Sequence, residues 1–184
     1  MITCIINILM LSLIWPTAPM PTDMLQTSLP RQEGDIQGVI KLAKYVSWPG
    51  EDNMTNATII IAPQSDETFK SAESLAASSK ILSHGINLIR ITDCNDDALY
   101  NANIIFIESG ANIDIETLIP KVADKQILTI TNDIGILEKG CMFYVKYDND
   151  TGHLSYYYNK EAILASPLSI SSHILMPDHK YEKQ

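Results

Sequence analysis

A chain of 184 residues, nearly half of them hydrophobic, is long enough to bury one real core and too apolar to be disordered throughout. Its formal net charge of −9 argues against a general nucleic-acid binder, which needs a basic face, and against adhesion to an anionic membrane surface. The three cysteines, Cys4, Cys94 and Cys141, form no C-x-x-C pair, so neither a thioredoxin-type redox site nor a zinc knuckle is supported.

Residues 1–22 carry no charge, and Ile5 to Trp15 is almost uniformly apolar. That run is short for a membrane span and fits the hydrophobic part of a signal peptide, with an uncleaved anchor as the competing reading. Residues 23–34 have no period and read as a linker. Cys4 falls in the leader, which leaves Cys94 and Cys141 in an exported protein. They are either a disulfide pair or two half-buried thiols acting as small hydrophobes.

The domain is expected over residues 35–176, with a polar tail at 177–184. It opens with an amphipathic helix: Ile36, Val39, Ile40, Leu42, Ala43 and Val46 share one arc, and Gln37, Lys41, Lys44 and Tyr45 share the other. Pro49 should stop this helix near Ser47. Thr58 to Ala62 is a β-branched run and predicts a buried strand. A helix capped by Ser65 or Asp66 follows, with Phe69, Ala72, Leu75 and Ala76 inward.

Ile86 to Ile91 predicts a second strand, Asn103 to Ile107 a third and Ile127 to Thr131 a fourth. Ile115, Leu118, Ile119 and Val122 repeat at helical spacing, and Pro120 inside that pattern predicts a kink or two short pieces. Gly140 to Tyr147 and Leu154 to Tyr158, joined by a polar loop, read as a hairpin. Asn159 should cap a helix at Lys160 to Ala165, and Ile170 to Leu175 reads as a last short helix. The expected fold is a three-layer α/β domain: a mostly parallel sheet with helices on both faces and an antiparallel C-terminal hairpin at its edge.

No glycine-rich phosphate loop, G-x-S-x-G elbow or H-E-x-x-H is present, so no catalytic residue, metal ligand or cofactor is assigned. His84, His153, His173 and His179 are far apart in sequence and read as solvated. In a doubly wound sheet a ligand lies beyond the carboxyl ends of the strands, which makes Glu108, Asn132 and Asp133 a candidate crevice. Lys41, Tyr45 and Trp48 are candidate partner contacts, with the alternative that Tyr45 and Trp48 simply cover the sheet edge. Tyr144, Tyr147, Tyr156, Tyr157 and Tyr158 either form a sticky face or pack across strands. Asn53, Asn56 and Asn149 each begin a glycosylation sequon.

Two stretches together resemble a known family. Ile40-Lys41-Leu42-Ala43-Lys44-Tyr45-Val46-Ser47-Trp48-Pro49 resembles the opening helix and Trp-Pro stop of the YfiR family of bacterial periplasmic proteins. Ile127 to Asn132, Gly140 to Phe143, and Tyr158-Asn159 followed by Leu168 to Leu175 resemble its later strands and closing segment. The resemblance implies a non-enzymatic periplasmic regulator. It would bind and repress the periplasmic sensory part of an inner-membrane diguanylate cyclase, lowering cyclic-di-GMP output and biofilm formation. It also implies frequent homodimerisation and a redox input through cysteines, of which only Cys141 sits in a family-like context. A small-ligand-binding periplasmic domain using the strand-end crevice is the alternative from another class.

Overall fold

A computed structural model describes residues 31–148, 151 and 153–181. The leader, most of the linker, Asn149, Asp150, Gly152, the side chain of Tyr147 and the last three tail residues lie outside the described set, as does the sequon that begins at Asn149.

Helix α1 (Arg31–Ala43) begins inside the expected linker and stops four residues short of the expected end. The chain leaves the helix because Val46 and Ser47 are needed elsewhere, as strand β1 (Val46–Ser47). Strand β2 (Asn56–Ala62) leads into α2 (Asp66–Ser78), whose first turn is capped by Ser65 accepting from the Thr68 N–H at 3.2 Å. Two residues, β3 (Lys80–Ile81), turn back into β4 (His84–Arg90). Strand β5 (Ile104–Ile107) is followed by α3 (Ile115–Val122), which runs through Pro120 as one helix, against the expectation of a kink or two pieces.

Strand β6 (Leu128–Thr131), the short α4 (Ile134–Glu138) and the hairpin β7 (Phe143–Asp148) and β8 (His153–Tyr158) complete the sheet. Asn159 caps α5 (Lys160–Ala165) as expected, its side chain accepting from the Ala162 N–H at 3.1 Å. The expected helix at Ile170 to Leu175 is corrected. Ser169–Ile170 form strand β9, which pairs antiparallel with β1, and only a single 3₁₀ turn follows at Ser172–Ile174.

The main sheet has seven strands in the order β3-β4-β2-β5-β6-β7-β8, parallel from β4 to β7 and antiparallel at both edges. Numbering the five parallel strands in chain order gives 2-1-3-4-5, a doubly wound order that reverses between β2 and β5. Strand alternation sorts the core into two layers. Ile59, Ile61, Phe106, Ile130, Phe143 and Val145 meet α1 and α2, whereas Ile60, Ile105 and Ile107 meet Leu118, Ile119 and Val122 of α3. On the α3 side β6 carries Thr129 and Thr131 in place of aliphatics. Their buried hydroxyls are occupied: Thr129 accepts from the Met142 N–H at 3.0 Å, and Thr131 donates to the Ile107 carbonyl at 2.8 Å.

Candidate functional site

The reversal between β2 and β5 puts the ligand position of a doubly wound sheet above Ala62 and Ile107. The expected crevice residues do gather there, but they bond to their own chain. Glu108 is 4% exposed; its Oε2 accepts from the Gln64 N–H at 2.5 Å, and Thr68 of α2 supplies a further hydrogen bond. Asn132 accepts from the Ser109 N–H at 2.6 Å and donates from Nδ2 to Asp35 Oδ2 at 2.8 Å. Asp133 accepts from the Ser109 hydroxyl at 2.9 Å and from the Gly135 N–H at 2.8 Å, so it caps α4.

Asp35, from the N-terminal part of α1, is 2% exposed and is bonded to Asn132 at this end of the sheet. Nothing in the sequence pattern singled it out, since an acid at a helix start ordinarily serves the helix dipole. Buried carboxylates are rare unless paired. Burial, as the largest cause, pushes the Glu108 carboxyl above its ordinary value, and the charge of Asp35 adds to the rise.

Space remains on the α3 side of this junction. A cavity of about 190 Å³ is bordered by Gln64, Arg90, Thr92 and Asn112 over an apolar floor of Ala62 and Ile91. Arg90 at its rim pairs with Asp66, and the guanidinium holds that carboxyl below the usual range. A shallower opening of about 420 Å³ adjoins it at Thr92 and Asn112 and reaches Cys94.

Cys94 and Cys141 are both buried, at 6% and 0% exposure, and both are free. Cys94 donates to the Asp114 carbonyl at 3.1 Å just beyond β4, whereas Cys141 lies just before β7. Those strands are four spacings apart in the sheet, about 19 Å at roughly 4.8 Å each. A disulfide needs Cα atoms within about 7 Å. The fold therefore keeps the two thiols out of reach of each other. Burial raises the pKa of both, that of Cys141 to about 12, so neither is an activated thiolate.

The residues at and after the end of α1 divide differently from the expectation. Lys41 and Tyr45 are exposed, Tyr45 by 44%, but Trp48 is a core residue at 4%. The Trp48 indole N–H donates to the Asn103 carbonyl at 3.3 Å, and its backbone N–H donates to Glu51 Oε2 at 3.0 Å. It covers the sheet and presents no outer surface. Tyr45 instead neighbours β8. Gly38, one ridge back along α1, lets Leu154 approach so closely that a Cβ there would meet Leu154 Cδ1 at 2.8 Å. Tyr156, two residues on and on the same face of β8, lies within electrostatic reach of Tyr45.

The far side of Tyr156 is covered by the C-terminal segment. His179 stacks on the phenol ring with centroids 4.3 Å apart, and its Nδ1 is 3.1 Å from the Tyr156 carbonyl. Among the other tyrosines, Tyr144 and Tyr157 pack across the hairpin at 5.8 Å on the opposite face, and Tyr158 is buried. His84 on β4 and His153 on the edge strand β8 lie toward opposite sides of the sheet, and His173 and His179 lie in separate C-terminal turns. Among the described residues no helix is long and apolar enough to cross a membrane.

No curated protein matches the chain. A family model described as YfiR/HmsC-like matches residues 35–176, from the buried Asp35 to just beyond the 3₁₀ turn that follows β9. With most of its length matched, the chain belongs to the YfiR/HmsC-like family.

Proposed function

We propose that this protein is an exported, non-catalytic regulator that binds the periplasmic sensory part of an inner-membrane signalling protein of the diguanylate cyclase type and lowers its output. The family match over residues 35–176 carries this reading. The mechanism is a population shift: the domain binds one conformation of the partner better than the other and stabilises it by that difference. The ridge formed by Lys41 and Tyr45, continued by Tyr156, is the proposed docking face. An exposed phenol beside a cation suits an interface anchor, because it buries a large rigid area at low entropic cost.

The test is titration of the purified protein against the periplasmic domains of the host's membrane diguanylate cyclases. Binding to one of them, weakened at least about tenfold by Tyr45→Ala with the fold intact, is the expected result. Absence of binding to every such domain overturns the reading. Binding unaffected by Tyr45→Ala moves the interface elsewhere.

A second reading, a small-ligand-binding periplasmic domain, draws on the 190 Å³ cavity beside the switch point. It relocates the site from Glu108, Asn132 and Asp133, which serve the chain itself, to Gln64, Thr92 and Asn112. A metabolite thermal-shift screen that raises the melting temperature of the wild type but not of Thr92→Leu supports it, and a flat screen removes it.

A further inference from the structure

Three chain segments wall the cavity beside the switch point: the end of β2 at Gln64, the end of β4 at Arg90 to Thr92, and the loop after β5 at Asn112. Backbone bonds hold all three in place. The Glu108 N–H donates to the Ala62 carbonyl at 3.1 Å and the Ile91 N–H to the Ile61 carbonyl at 2.9 Å. In the loop, the Ala111 N–H closes on the Glu108 carbonyl and the Ile113 N–H on the Ala111 carbonyl, each at 3.0 Å. The space is therefore built into the fold. Its floor, Ala62 and Ile91, is buried and apolar. Around the rim, the side chains of Gln64, Thr92 and Asn112 hydrogen-bond to no other described residue. Glu108, Asn132 and Asp133 nearby are all bonded within the chain.

Among the described residues that line the cavity, Arg90 is the only charged one. Its guanidinium gives Asp66 a single Nη1, and that carboxylate is 74% exposed. A pair so open to water is weak, and the rest of the guanidinium fork stays available to a second carboxylate. From this arrangement we infer that the cavity binds a small organic monocarboxylate, a ligand class that rests on the small-ligand reading of the same site. The carboxylate takes the free edge of the Arg90 guanidinium, an apolar body lies on the floor of Ala62 and Ile91, and the rim amides and hydroxyl complete the hydrogen bonds.

Size and charge narrow the class. At roughly 30 Å³ per water, 190 Å³ corresponds to about six waters, so a ligand of about six to nine non-hydrogen atoms fits. A phosphate fits poorly. It would bring a second negative charge into a protein of net charge −9 that offers it one lining cation, and the Gln64 N–H is already given to Glu108. A neutral ligand of the same shape forgoes the charge-assisted bonds to Arg90.

Thermal-shift titrations of the full-length protein at matched ionic strength test this, with butyrate and benzoate set beside butyramide, benzamide and inorganic phosphate. At least one carboxylate should raise the melting temperature saturably, with an apparent Kd at least about tenfold below that of its own amide. Arg90→Gln should remove that preference. Asp66→Asn frees the guanidinium, leaves the Ser65 cap in place and should tighten carboxylate binding about two- to fivefold, which keeps the test decisive if the first variant does not fold. Equal stabilisation by the amide or by phosphate, a preference that survives Arg90→Gln, or no tightening in Asp66→Asn overturns the ligand class. So does silence of both carboxylates beside a metabolite that stabilises the wild type and not Thr92→Leu, and the small-ligand reading then stands without it. Silence of the carboxylates and of the whole metabolite screen removes both.

Discussion

The strand-end junction and the outer ridge at the end of α1 are built from one helix and the turn after it but follow opposite rules. At the junction, Asp35 is almost inaccessible and every polar neighbour described above has a bonding partner inside the chain. Along the ridge, Lys41 and Tyr45 stand in solvent beside a half-buried Tyr156. A satisfied buried polar network fixes one arrangement and is costly to disturb. An exposed aromatic ridge costs little to alter and is free to meet another surface. The expected crevice residues have become scaffold, and the helix tied to them offers its other side outward.

The largest expected effect separates scaffold from surface within a single motif. Trp48→Ala removes a buried indole and its bond to the Asn103 carbonyl, and should cost about 3–5 kcal/mol in a urea unfolding curve. Tyr45→Ala, three residues earlier, should stay within about 0.5 kcal/mol of wild type in the same experiment. Near-equal losses would erase the contrast. Asp133→Ala comes next: losing the cap of α4 should cost about 1 kcal/mol, measured as a lower melting temperature. The smallest effect concerns the thiols. Reductant should leave the melting temperature unchanged, because Cys94 and Cys141 lie too far apart to pair. A reductant-sensitive melting point would mean that the sheet order is wrong or that chains are cross-linked.

What could be read from the residues follows the range of the interactions. Strands β2, β5 and β6 were legible because continuous runs such as Ile59–Ala62 and Ile104–Ile107 are buried on both faces. The caps at Ser65 and Asn159 were legible because their bonds span three residues. Strand β3 was not, because its turn uses Leu82 and Ser83 at positive φ, where hairpin signals call for Gly or Asn. The pairing of β1 with β9 escaped notice because two-residue strands have no period to detect, and it reduced an expected helix at Ile170–Leu175 to the end of a strand and one 3₁₀ turn. The junction was half legible. Glu108, Asn132 and Asp133 followed from strand ends, but Asp35 bonds Asn132 across 97 residues and no local pattern carries that.

The docking of α1 has a temporal side. Its apolar arc packs on β7, about 100 residues further along the chain, and the Ser171 N–H closes on the Tyr45 carbonyl later still. At roughly 5–20 residues per second, a ribosome needs about 5–20 s to supply that surface. For that interval the part of the arc that faces β7 is uncovered, although α2 and β2 are already made. The first helix among the described residues is thus among the last to complete its docking, and the nascent chain presents a partly uncovered apolar segment until β7 is made.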